Sequence, residues 1–180
     1  MKNLEREIFE LLDKIKAKNA SDPDHGDQEI LLPENNMHVI QTLDDNVVRP
    51  LSPMLAARFD YASSWVNAHL DQNWLSLQEI KSAKSNETIR EWIELRVENW
   101  GHVPPATVKY SQAALFAYNP YEPEETYLVW RSDNAEPEVW RYFGSDYKYF
   151  FDLKSFFEYV AGLKEIDDSG RMSIGLPQDF

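Results

Sequence analysis

Between positions 113 and 151 the chain passes through four short runs of aromatic and β-branched residues. They read Ala113-Ala114-Leu115-Phe116-Ala117-Tyr118, Thr126-Tyr127-Leu128-Val129-Trp130, Val139-Trp140-Arg141-Tyr142-Phe143 and Tyr147-Lys148-Tyr149-Phe150-Phe151. Turn chemistry separates them: Asn119-Pro120-Tyr121-Glu122-Pro123, Ser132-Asp133-Asn134-Ala135-Glu136-Pro137 and Gly144-Ser145-Asp146. Such runs favour strands. Connections this short cannot make the crossover that parallel strands need, so the four are expected to form an antiparallel meander. Asp152 can then cap a helix whose stripe of Leu153, Phe156, Phe157, Val160 and Leu163 would cover the sheet.

Upstream the period is helical. Leu4, Ile8, Leu11, Leu12 and Ile15 predict an amphipathic helix over 3–18, either a mobile arm or docked on the body. A polar, turn-rich stretch over 20–36 follows. Residues 37–48 alternate weakly and can hold one strand. Ser52-Pro53 is an N-cap with proline in the first helical position, and the stripe Leu55, Phe59, Ala62, Val66 and Leu70 extends that helix to about Leu70. Ser76-Leu77-Gln78-Glu79 has capping-box spacing. Asn86 can cap a further helix carrying Ile89, Trp92, Ile93 and Val97, which ends before Pro104-Pro105. The fold class is α+β, with the meander in the C-terminal half covered by helices. The expected organisation is an N-terminal helix and linker over 1–36, a domain over 37–163 and a polar tail over 164–180.

With 18 Lys and Arg against 31 Asp and Glu, the 180-residue chain carries a formal charge of −13. That field opposes nucleic acid and anionic membranes and suits a basic protein partner. No Cys is present, which removes disulfides, thiolate nucleophiles and Cys-based zinc sites. No apolar run is long enough to span a bilayer, and no signal-peptide h-region opens the chain, so a cytoplasmic protein is expected. His25, His38, His69 and His102 are scattered without metal-ligand spacing. The stretch from Asp22 to Asp27 departs from a calcium loop at Pro23 and His25. Ser63 and Ser64, read as mid-helix, and Ser111, beside a strand, have no nucleophile elbow. The expectation is a non-enzymatic protein with no catalytic residue, no cofactor and no metal.

The acids around the meander carry more information. Residues 119–146 hold seven acids and two bases, a net of −5, concentrated in the connections. Alternate turns of a meander fall at the same end. Tyr121, Glu122, Glu124, Glu125 and Asp146 are therefore expected to share one end as a partner-binding surface, with Asp133, Glu136 and Glu138 the alternative at the other end. Acidic loops of this kind also serve simply as solvated faces. The crowd of Tyr and Trp fits either two helix-covered faces or outward-facing anchors for a protein.

The runs at 114–118, 126–130 and 138–142, followed by Phe151-Asp152-Leu153-Lys154-Ser155-Phe156-Phe157-Glu158-Tyr159-Val160, resemble the C-terminal half of the SUKH superfamily. Trp74-Leu75-Ser76-Leu77-Gln78-Glu79-Ile80 is similar to an upstream element of that family, so the resemblance spans about 74–163. It implies an α+β fold shared with bacterial immunity proteins, which bind toxin domains, often nucleases, and with fungal regulators of cell-wall synthesis. No family catalytic residue carries over. The expected function is neutralisation of a basic, nuclease-like toxin. An intracellular scaffold of the same fold is the second reading, and an enzyme with a carboxylate site the third.

Overall fold

The computed structural model describes residues 2–33, 37–100, 105, 107–132, 136–144 and 146–165. The meander is present: β6 (Ala113–Tyr118), β7 (Glu124–Val129), β8 (Glu138–Phe143) and β9 (Asp146–Phe150) pair antiparallel in sequence order. It forms part of a larger sheet. The strands β1 (Glu29–Ile30), β4 (Trp65–His69) and β5 (Gln72–Trp74) extend it to seven in the order β1-β4-β5-β6-β7-β8-β9. A separate hairpin joins β2 (Val39–Gln41) to β3 (Val48–Pro50), two strands where one is expected from the sequence.

The capping signals land where the sequence puts them. The Ser52 hydroxyl accepts from the Leu55 amide at the head of α2 (Pro53–Tyr61). Ser76 and Glu79 form a reciprocal capping box on α3 (Leu77–Lys81). Asn86 caps α4 (Glu87–Glu98), and Asp152 caps α5 (Leu153–Val160). The first helix, α1, runs Lys2–Ser21 and is docked: Ile8, Leu12 and Ile15 are fully buried. Its C-terminal turn is tied down by Lys18 Nζ donating to the Val160 carbonyl at 2.7 Å and by Asn19 Nδ2 donating to the Ala68 carbonyl at 2.9 Å.

One element departs from expectation. Helix α2 stops at Tyr61, and Ala62 is extended at φ −154°. Of the residues that continue the helical stripe, Val66 belongs instead to β4, and Leu70 lies with Asp71 in the turn to β5, at φ +48° and +59°. Two successive positive φ values define the primed turn of a tight hairpin, which Asn-Gly would normally announce. Leu70-Asp71 gives no such signal. Ser63 and Ser64, consequently, lie between α2 and β4, where the Ser63 amide donates to the Leu31 carbonyl and the Ser64 carbonyl accepts from the Leu31 amide.

Helices α1, α2 and α5 cover one face of the sheet. Its centre is Trp74, whose ring lies 5.3 Å from Phe157, 5.4 Å from Phe116 and 5.7 Å from Phe156. Arg58 of α2 is wholly buried in this layer, its guanidinium 5.2–5.8 Å from the rings of Phe59, Trp74 and Phe116. One nitrogen donates to the Ala62 carbonyl at 2.5 Å, while Nε and Nη2 have no hydrogen-bond partner among the described residues. Burial pushes its pKa down to about 9, which still leaves it charged at neutral pH. Apolar side chains of similar volume often outperform buried charge. Arg58→Met is therefore expected to raise the unfolding free energy by about 1–4 kcal/mol in urea denaturation. A loss of stability would show that the three ring contacts outweigh the desolvation of the charge.

Candidate functional site

In a strand, neighbouring side chains point to opposite faces. Glu124 and Glu125 therefore diverge, and each meets an arginine. Glu124 Oε2 lies 2.9 Å from Arg141 Nη2, on the helix-covered face. Glu125 Oε2 lies 2.9 Å from Arg96 Nη2 of α4, on the other. The Glu125 side chain is 2% exposed, and burial raises its pKa against the pull of Arg96. Above this pair the Arg96 guanidinium stacks on Tyr142 at 3.9 Å, which in turn packs edge-on to Tyr127. These two acids are internal ties rather than loop acids.

The rest of that end is open. Asn119 is buried, and its Oδ1 accepts from the amides of Tyr121 at 2.8 Å and Glu122 at 3.3 Å, an Asx turn that holds the loop in shape. The Gly144 amide donates to the Pro123 carbonyl at 3.4 Å, so the β6–β7 and β8–β9 turns lie side by side. Tyr121 is 82% exposed, Glu122 and Asp146 are exposed, and Tyr147 is 38% exposed beside them. Two tyrosines and two carboxylates without an ion pair among the described residues thus stand on a rim shaped by the Asn119 turn.

At the opposite end the acids are occupied. Glu136 accepts from the Ser52 hydroxyl at 2.5 Å and from the Met54 amide at 2.9 Å, so it closes the N-terminus of α2. Glu138 takes Arg131 Nε at 2.6 Å, Trp140 Nε1 at 2.9 Å and the Tyr149 hydroxyl at 3.3 Å. Asp133 lies outside the described residues. The aromatics divide likewise: Tyr127, Trp130, Trp140 and Tyr142 are buried, and the outward-facing group is Tyr121, Tyr147 and Phe151.

No match was found to any protein-family model, curated protein or solved structure.

Among the described residues the histidines form no metal-ligand group. His69 is packed edge-on against Tyr159 at 5.8 Å, and burial, reinforced by Arg141, Lys18 and Lys148, pushes its pKa down to about 3. His25 Nδ1 hydrogen-bonds the Gly26 carbonyl, His38 is exposed, and His102 lies outside the described residues. In the 22–27 stretch, Asp22 Oδ1 accepts from the Asp24 amide, an ordinary turn. Among the described residues no three His, Asp or Glu are grouped as metal ligands, and no helix is long and apolar enough to cross a membrane.

One acidic grouping has no counterpart in the sequence reading. Asp44 and Asp45, from the β2–β3 turn, face Glu94 and Glu98 of α4 across a groove of about 460 Å³. Residues some fifty positions apart in the chain meet here only because the hairpin and the helix are neighbours.

Proposed function

We propose that this chain is a non-enzymatic binding protein that neutralises a basic toxin domain, as its resemblance to the SUKH superfamily implies. The observation that supports the reading is the rim of Tyr121, Glu122, Asp146 and Tyr147, pre-shaped by the Asn119 turn and free of internal ion pairs among the described residues. A nuclease groove must be basic to hold phosphates. A partner at −13 that presents exposed carboxylates would mimic that charge and associate quickly. Exposed tyrosines on a pre-shaped rim can serve as anchors once desolvated. The reading puts its action in the cytoplasm, where an incoming toxin is met.

The test is binding to the toxin-like product of the neighbouring gene, followed by surface plasmon resonance. Glu122→Lys with Asp146→Lys is expected to slow association roughly tenfold at low salt, with the difference shrinking as salt rises. Tyr121→Ala should act on the off-rate, by about 2 kcal/mol if it is an anchor. Both variants should keep their stability within about ±0.5 kcal/mol. Unchanged rates in both variants would remove the rim from the interface, and no binding of any kind would remove the toxin reading.

A further inference from the structure

The groove between α4 and the β2–β3 turn has the build of a second docking seat. One wall is the turn, and it is tied at many points. Thr42 Oγ1 donates to the carbonyls of Asp44 and Val47, and Gln41 Nε2 donates to the same two. Asn46 donates to Asp44 Oδ1 from its backbone amide at 3.0 Å. Lys84 Nζ bridges the Leu43 carbonyl at 3.0 Å and Asp45 Oδ1 at 2.7 Å. The opposite wall is α4, where Glu94 and Glu98 stand one turn apart, both exposed. Glu94 has a loose contact, Arg90 Nε at 3.8 Å, and among the described residues Glu98 has no ion pair. Between the walls the floor is apolar, formed by Leu43, Ile93 and Val97.

Four carboxylates thus line an apolar floor against a single lysine, and that lysine is already committed to Asp45. A small cation would satisfy the rim but leave the floor wet. An apolar side chain alone would enter a ring of negative charge without using it. We propose that this groove seats a basic amphipathic segment of a protein partner, one that lays an apolar side chain on Ile93 and Val97 while its lysines or arginines meet Asp44, Glu94 and Glu98. The volume falls within the usual range of recognition pockets, roughly 300–1,000 Å³. Because the turn is held by its own hydrogen bonds, the wall is formed before binding and little ordering cost falls on the complex. The inference rests on the reading of the chain as a binder of basic proteins, and adds a second surface built from residues other than those of the Tyr121 rim.

The probe is a labelled short peptide with Lys and Leu at helical spacing, titrated into the full chain by fluorescence anisotropy. An oligolysine of equal charge is the control. The amphipathic peptide should bind about tenfold more tightly than oligolysine, and Glu94→Lys with Glu98→Lys should weaken it by about tenfold. Glu122→Lys with Asp146→Lys should leave it unchanged. Amide chemical shifts should move at Leu43, Ile93 and Val97. Equal binding of both peptides, or binding that survives the Glu94 and Glu98 reversal, overturns the seat and leaves the toxin reading to its own test. Peptide binding in the groove without any binding of the neighbouring gene's product keeps the seat and overturns the toxin.

Discussion

Phe156→Ala is expected to lower the unfolding free energy by about 3–5 kcal/mol in urea denaturation. The ring is fully buried and lies 5.1 Å from Phe150, 5.7 Å from Trp74 and Phe157, and 6.2 Å from Phe116. It therefore joins α5 to strands β5, β6 and β9 at one point. Removing it loses apolar transfer energy and leaves a cavity that four surrounding rings cannot easily collapse to fill. Phe151, five positions earlier and 66% exposed, is the control: Phe151→Ala should stay within about ±0.5 kcal/mol. Equal effects at the two positions would refute the packing of α5 on the sheet.

The second large effect is expected at Glu125. Glu125→Ala leaves the Arg96 guanidinium, 12% exposed, facing Tyr142 without its carboxylate, and should cost about 3–5 kcal/mol. Most of that loss comes from the stranded charge. The double variant Arg96→Met with Glu125→Leu should therefore recover most of the stability. The pH dependence has a definite sign. The Glu125 carboxyl holds its proton more tightly in the folded chain than in the unfolded one, because burial outweighs the attraction of Arg96. Its titration contributes stability that is fully present below the unfolded pKa and is lost as pH rises through the folded pKa. Comparing the chain with Glu125→Gln from about pH 4 to about pH 7 should show this increment in the parent alone. A parent that instead loses stability relative to the variant on acidification would mean that Arg96 dominates the pair.

These two residues also show how far surface and interior can be told apart before the fold is known. Glu124 and Glu125 read as part of an acidic loop because they follow Pro123. Strand alternation sends them to opposite faces, and their arginines, Arg141 and Arg96, come from a neighbouring strand and a distant helix. Nothing local marks either pairing. Glu136 repeats the lesson, since its partners are Ser52 and Met54, more than eighty positions away. Tyr121 and Glu122 remain at the surface because Asn119 caps their loop within two or three residues, a short-range device that the turn composition does signal.

Local chemistry accounts for the helix starts and the meander. Ser52, Ser76, Asn86 and Asp152 set helix starts through hydrogen bonds three residues long, and the period-2 runs after Ala113 set four antiparallel strands because their connections are too short for anything else. The α+β class follows from those two facts. Three features depend on contacts between distant segments. The stripe after Tyr61 suits a helix as well as a strand, and it became β4 because β1 and β5 supply hydrogen-bond partners and bury Trp65 and Ala68. The first helix became part of the core because α2 and α5 offer its apolar face a surface. Which carboxylates remain free was settled by where the arginines arrive. A charge is local to its residue, but its neutralisation depends on contacts between segments far apart in the chain.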